Sequence, residues 1–233
     1  VIAIKKRPGN YGNMTSSAQA LEAIADGMVV GLGTGRAATA FIHALGERVR
    51  QGLHVRGVPT SRASAALAES LSIPLVSLDD VAAIDIDVDG ADEVDPPLNL
   101  IKGLGGALVR EKIVAAASRR VVILVGPEKL VNVLGGHGVL PVEVVPFGLA
   151  LCRRRLAAIG CPGDLRLDKS SGKPFETDNG NLILDCRIGL ITDPPDLEQR
   201  ILHIPGVVDT GLFLGMANTV LIQRGEEVEV RTR

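Results

Sequence analysis

Between residues 21 and 126, short apolar runs alternate with stretches of helical period: 28–32 before 37–50, 55–58 before 62–71, then 75–78, 84–88 and 121–125. The runs are rich in Val, Ile and Leu, as expected of strands buried on both faces of a parallel sheet. This βαβ rhythm predicts a doubly wound α/β domain, in which ligands sit outside the carboxyl ends of the strands. Beyond the glycine-rich segment 134–139 the pattern changes. Strands are predicted at 140–145, 165–169, 182–186 and 206–210, with helices at 147–159 and 196–202. This β-α-β-β-α-β order is that of a ferredoxin-like unit. Residues 219–223 and 227–230 flank Arg224-Gly225-Glu226 as a hairpin able to rejoin the first sheet. The expected fold is therefore α/β, a doubly wound, mostly parallel Rossmann-like sheet domain (1–134 plus 211–233) with an inserted ferredoxin-like α+β domain (135–210).

Composition narrows the partners. Hydrophobic residues make up 46% and charged residues 22% of the 233, so the chain can build cores. Aromatics are only 2% and the net charge is −2. Single-stranded nucleic acid needs stacking platforms and a basic face, so nucleic acid is not an expected partner. No run of about 18 apolar residues exists, and residues 1–10 carry Lys5, Lys6 and Arg7 without a signal-peptide core. Cys152, Cys161 and Cys186 are odd in number and lack metal-site spacing. The expectation is a cytoplasmic, unexported protein with reduced thiols, no membrane partner and no structural zinc. Glycine is in excess, 27 residues or about 12% against a usual ~7%.

Three segments that follow strands carry candidate chemistry. Gly31-Leu32-Gly33-Thr34-Gly35-Arg36-Ala37 joins a strand to a helix, where tight turns and free amides bind anions such as phosphate, although the spacing matches neither GxGxxG nor a P-loop. Asp87-Val88-Asp89-Gly90-Ala91-Asp92-Glu93-Val94-Asp95 crowds five carboxylates at a strand's end, which yields candidates for acid–base work or, alternatively, a magnesium site or a plain acidic loop. Lys102-Gly103-Leu104-Gly105-Gly106 precedes a helix on which Val109, Ile113 and Ala116 form an apolar stripe expected to face the sheet. Glu111 projects away from that stripe, toward the cleft over the strand ends. Lesser signals are Pro59-Thr60-Ser61 and Glu128-Lys129. The four histidines do not cluster, and no triad is supported. Amides for an anion, carboxylates beside a lysine, and one further glutamate suit proton shuffling on a small phosphorylated substrate.

Taken in order, Gly33-Thr34-Gly35, Asp89-Gly90-Ala91-Asp92-Glu93, the run from Lys102 to Lys112, Leu140-Pro141-Val142-Glu143-Val144, Asp178-Asn179-Gly180-Asn181 and Ile204-Pro205-Gly206-Val207-Val208 resemble ribose-5-phosphate isomerases of the A type. The resemblance runs from about residue 27 to 214. It implies cofactor- and metal-independent interconversion of D-ribose 5-phosphate and D-ribulose 5-phosphate, in the non-oxidative pentose phosphate pathway, by a homodimer or tetramer. It further implies Glu111 as the base that moves a proton between C2 and C1 through a cis-enediolate. Asp89, Asp92 and Lys102 would serve ring opening and stabilise charge on the O1/O2 side. Gly33, Thr34, Gly35, Arg36, Ala37, Gly90, Ala91, Gly105, Gly106 and Lys129 would bind substrate. The family commonly reads GTGSTA at the phosphate loop; here Arg36-Ala37 replaces Ser-Thr, so Arg36 becomes the candidate for the phosphate charge. A lysine that some members carry near the N-terminus falls at about Asn13. A DeoR-type sugar-phosphate sensor would lack Glu111 and carry a helix-turn-helix. A dinucleotide-dependent dehydrogenase is disfavoured by the glycine spacing.

Overall fold

The computed structural model describes residues 15–233, so Asn13 and Lys5, Lys6 and Arg7 lie outside the described residues. In chain order the elements are α1 (Ser16–Leu21), β1 (Val29–Leu32), α2 (Arg36–Arg50), β2 (Arg56–Pro59), α3 (Arg62–Ser70), β3 (Ile86–Gly90), β4 (Glu93–Val94), β5 (Leu100–Ile101), α4 (Leu108–Ala116) and β6 (Val121–Val125). There follow β7 (Val139–Val144), α5 (Leu149–Ala158), β8 (Gly163–Leu165), β9 (Leu182–Arg187), α6 (Pro194–Leu202), β10 (Val207–Thr210), β11 (Leu212–Phe213), β12 (Thr219–Arg224) and β13 (Glu227–Thr232). The chain divides into two compact units. One runs up to Ala91 and takes in Arg110–Leu130 and Gly215–Arg233; the other comprises Asp92–Val109 and Val131–Leu214. The segment 92–109, read from sequence with the first sheet, thus groups with the second unit.

In the first unit six strands lie in the order β13-β12-β6-β3-β1-β2. The pairs β2–β1, β1–β3, β3–β6 and β6–β12 are parallel, and β13 adds an antiparallel edge, so the predicted hairpin does join the sheet. The chain winds outward from β1 to β2 and then crosses to β3 on the other side, which makes the gap between the ends of β1 and β3 a topological switch point. Alternate side chains serve opposite faces. Val30, Leu32, Ile86 and Val88 bury with Phe41, Ile42 and Leu45 of α2, while Val29, Val58 and Ile84 bury with Val114 of α4. Helix α2 ends with Arg48 and Arg50 against its negative dipole end and Gly52 at φ +103° just beyond.

Two expectations fail here. Residues 75–78 form no strand: Leu75 makes one parallel bridge to Gly57, and a 3-10 turn, Leu78–Asp80, follows. Three apolar residues and a serine between Pro74 and two aspartates are too short a run to add a ladder beside β2. On α4 the buried face is Leu108, Glu111, Val114 and Ala115, whereas Ile113 is 49% exposed and Ala116 is exposed. Both stripes of this helix contain apolar residues, so periodicity did not distinguish them.

The second unit holds an antiparallel sheet in the order β10-β7-β9-β8. This is the strand order of the ferredoxin-like split βαβ, packed with α5 and α6 residues around Leu140, Val142, Val144, Leu184, Cys186, Leu156 and Ile201. The strand expected at 165–169 is shifted, with β8 ending at Leu165. Asp193 caps α6 by accepting the Asp196 N–H, with Pro194 in the first turn. A three-stranded sheet, β11-β5-β4, completes this unit.

Candidate active site

In the first unit the segment after β1 and the end of β3 are in direct contact. The Gly33 N–H donates to the Val88 carbonyl (3.1 Å), and the Thr34 and Gly90 N–H groups both donate to Asp89 Oδ1 (3.0 and 2.7 Å). A Cβ at Gly33 would run into the Asp89 carboxylate and stand 2.7 Å from its Cα. Glycine here is therefore a matter of close approach between two chain segments. Gly31, one pleat earlier, does the same for Asp87 Oδ1 and Val114 Cγ1, which its Cβ would meet at 2.5 and 2.8 Å. The missing side chains let α4 lie against the β1/β3 face that carries Asp87 and Asp89.

The direction of α4 places Glu111. Its carboxyl end meets the start of β3, since the Ile84 N–H donates to the Ala117 carbonyl and the Arg119 N–H to the Ile84 carbonyl. Glu111 lies three residues before Val114, roughly 4.5 Å along the helix toward the carboxyl ends of the strands. Asp89 lies two residues beyond Asp87 in the same direction, about 6.6 Å. Glu111 and Asp89 are 4% and 1% exposed, so two buried carboxyl groups share one sheet face toward the carboxyl ends of its strands.

Thr60 and Ser61 prove to support the glycine loop. Thr34 Oγ1 donates to Ser61 Oγ (2.9 Å), Ser61 to Ser64 Oγ (3.0 Å), and Ser64 to the Gly33 carbonyl (2.6 Å), while Thr60 Oγ1 donates to the Leu32 carbonyl (3.1 Å). Thr60, Ser61 and Ser64, the three hydroxyl partners of Thr34 Oγ1, are all buried. This chain of hydroxyls holds the loop in shape, and Ser64 was missed by the sequence reading because it lies in α3, 30 residues from Thr34. Gly35, at φ +100°, precedes α2 without a side-chain cap, which leaves Arg36, exposed at the first helical position, and the half-buried Ala37 at the open helix end. Gly90 lies beside Ala37, whose Cβ would be 3.7 Å from one added to Gly90. Lys129 is half-buried on the 3-10 turn after β6, the strand next to β3.

The second unit sorts the rest of the acidic run. Glu93 Oε2 and Oε1 accept the N–H groups of Gly135 and His137 (2.6 Å each), and Asp95 accepts from the Asn99 backbone N–H (2.7 Å) and Nδ2 (3.1 Å). Glu93 and Asp95 are therefore committed to holding loops. Asp92 is half-buried, and its Oδ2 accepts the Leu104 N–H (3.0 Å). Lys102 is 3% exposed. Its N–H donates to the Gly211 carbonyl (2.9 Å), and Nζ stands 5.5 Å from the Phe213 ring centroid.

Beyond Lys102 the loop is gripped by residues the sequence reading did not select. Arg166 Nη1 donates to the carbonyls of Gly103 (2.8 Å) and Leu104 (3.2 Å), while its Nε and Nη2 form a two-pronged pair with Asp185. Phe175 lies against Gly106, at φ +85°, where a Cβ would meet Cζ at 2.5 Å. Gly105 is exposed. Arg166 and Asp185 are separated from the loop by more than 60 residues, so no local pattern pointed to them. Among the described residues no three His, Cys, Asp or Glu side chains converge as metal ligands would, and no helix is long and apolar enough to cross a membrane.

The model of the family "Ribose 5-phosphate isomerase A (phosphoriboisomerase A)" matches residues 56–227. The ribose-5-phosphate isomerase A of Roseiflexus sp. (strain RS-1) is 52% identical over 215 residues, 91% of this chain and 92% of that protein. The solved ribose 5-phosphate isomerase A of Methanocaldococcus jannaschii superposes with a TM-score of 0.89 at 41% identity, covering 93% of this chain and 96% of that one. A D-ribose-5-phosphate isomerase solved in complex with phospho-erythronic acid gives 0.90 at 42% identity over the same shares. The doubly wound sheet, the Gly33–Asp89 junction and the inward-facing Glu111 thus sit in a chain that belongs to the ribose 5-phosphate isomerase A family.

Proposed function

We propose that this chain interconverts D-ribose 5-phosphate and D-ribulose 5-phosphate by proton transfer through a cis-enediolate, with Glu111 as the base. The observation that carries the proposal is the burial of Glu111 and Asp89 on one sheet face at the carboxyl end of the switch-point strands. An aldose–ketose isomerase must open the furanose and then move one proton between C2 and C1. A single carboxylate beside both carbons can take that proton and return it, and burial limits its loss to water. In this reading Asp89, Asp92 and Lys102 carry protons for ring opening and stabilise the charge that develops on O1 and O2, as fixed charges and donors do best when they need not reorganise.

Substrate is held, in the same reading, by Gly33, Thr34, Gly35, Arg36 and Ala37, by Gly90 and Ala91, by Gly105 and Gly106, and by Lys129. Arg36 at the uncapped start of α2 supplies the phosphate charge that the hydroxyls usual at this loop would otherwise help to hold. A homodimer or tetramer in the cytoplasm belongs to the same proposal; three buried, reduced thiols suit that compartment. Light scattering of the purified chain tests the assembly.

The decisive experiment is turnover of ribose 5-phosphate by the wild type and by Glu111→Gln. The variant is expected to lose roughly 10²- to 10⁴-fold in kcat, the span of general-base contributions. Full activity would remove Glu111 from the role. Arg36→Ala is expected to raise KM for ribose 5-phosphate, and an unchanged KM would refute the phosphate role.

A further inference from the structure

The peptide between Gly103 and Leu104 is held from both sides. Its carbonyl accepts from Arg166 Nη1 (2.8 Å), and its N–H donates to Asp92 Oδ2 (3.0 Å). The next carbonyl, that of Leu104, also accepts from Nη1 (3.2 Å). The rest of the guanidinium cannot drift, because Nε and Nη2 are both spent on Asp185, itself on β9 of the four-stranded sheet. The Arg166 side chain is only 12% exposed, and its Cζ stands 6.0 Å from the centroid of the Phe175 ring that packs on Gly106. Gly103 at φ +106° and Gly106 at φ +85° make the intervening backbone one that few side chains could stiffen from within.

We infer that Arg166 is a positioning residue for the isomerase reaction: anchored by Asp185, it fixes the Gly103–Leu104 peptide, and through it both the Asp92 carboxylate and the backbone that carries Lys102. The inference rests on the roles proposed above for Asp92 and Lys102. Physically, a rigid arginine fork turns a flexible two-glycine loop into a fixed donor. The peptide N–H aimed at Asp92 is polarised by a cation on its own carbonyl, which strengthens the bond it gives. Lysine could keep the charge beside Asp185 but has no fork with which to reach both carbonyls as well.

The test compares Arg166→Ala, Arg166→Lys and Asp185→Asn with the wild type, with Arg187→Ala as a control that removes an exposed ion pair (to Asp164) in the same sheet. Misplacement of catalytic groups by around 1 Å is worth up to about 100-fold in rate. Arg166→Ala is therefore expected to lower kcat 10- to 100-fold with KM for ribose 5-phosphate changed less than threefold, Arg166→Lys and Asp185→Asn to fall between, and added guanidinium ion to restore part of the kcat of Arg166→Ala. Arg187→Ala is expected to keep wild-type kcat. Amide exchange at Leu104, read by NMR, is expected to quicken at least tenfold in Arg166→Ala, and this readout does not depend on turnover. The inference is overturned if Arg166→Ala keeps kcat within twofold, or if its Leu104 amide exchanges as slowly as in the wild type. A wild type that fails to turn over ribose 5-phosphate would refute the proposed function instead, and the exchange result would still decide whether Arg166 fixes the loop.

Discussion

Replacing Gly33 by alanine probes the close approach of the segment after β1 to the end of β3. Gly33 has an ordinary backbone conformation, so the whole effect of the substitution is steric. The new methyl would stand 2.7 Å from Asp89 Cα, and ordinary contact begins at 3.4 Å, so the end of β3 must retreat by about 0.7 Å. The carboxylate, which lies closer still, must rotate away and lose the Thr34 N–H. Overpacking of this kind costs about 1–3 kcal/mol, and a hydrogen bond to a charged group is worth about 1.5–3 kcal/mol. Because rotation relieves part of the overlap, the two do not add in full, and a net loss of about 2–4 kcal/mol is expected. At 2–4 °C per kcal/mol for a chain of this size, Tm falls by roughly 5–15 °C. With the role proposed for Asp89, its displacement is also expected to lower kcat, by roughly 10- to 100-fold. The assay pairs thermal melting followed by circular dichroism with initial rates of ketose formation from ribose 5-phosphate. Gly189→Ala is the control, since a Cβ there meets nothing within 4 Å. If Gly33→Ala melted within 2 °C of the wild type and kept its kcat, the close approach would not be a constraint and the argument would fail.

Two further predictions concern the second unit. Glu143 is wholly buried, and its Oε1 accepts from Thr177 Oγ1, Asn179 Nδ2 and Asn181 Nδ2 (3.0, 3.2 and 2.8 Å). Glu143→Ala should therefore destabilise by about 3 kcal/mol or more in denaturant titrations, with Glu143→Gln losing less because it keeps an acceptor; a loss under 1 kcal/mol for the alanine variant would mean that the network supports nothing. Burial, then the neighbouring Cys161, Asp185 and Asp164, pushes the Cys186 thiol up to about 12, and burial raises Cys152 and Cys161 as well. All three thiols should resist alkylation at pH 8 until the chain is unfolded. The folded state holds the Cys186 proton more tightly than the unfolded state does, so stability should decline as pH rises from about 9 toward 12. Rapid native labelling of Cys186, or a flat stability profile across that window, would contradict the burial argument.

Much of the first unit was legible because a buried parallel strand must be apolar on both faces, and runs such as Val121–Val125 leave little else to be. The β-α-β-β-α-β order and the rejoining hairpin were legible for a related reason, since turns and periods mark the ends of elements wherever the elements lie. The face of α4 was not. Val109, Ile113 and Ala116 are as apolar as Leu108, Val114 and Ala115, and a helix flanked by two such stripes buries whichever one the sheet offers room for. The room is at Gly31, and no property of the helix itself records it.

The acidic run shows the same division more sharply. Its spacing at the end of a strand is a property of the sequence, and so is the match of its motif to an isomerase family. Which carboxylates are available for chemistry is not. Glu93 and Asp95 are taken up by backbone amides of loops, Asp92 receives the Leu104 N–H, and Asp89 is set against Gly33. The glycine excess divides likewise: composition announces tight turns and close approaches, while the partners that approach are named only in three dimensions. Sequence by itself thus determined the kinds of elements, their order and the family, because those follow from local periodicity and contiguous motifs. The tertiary structure alone decided that Glu111 faces the sheet and that Arg166 and Asp185 hold the Gly103–Leu104 peptide, because these contacts join residues far apart in the chain, and their geometry exists only once the sheets have packed.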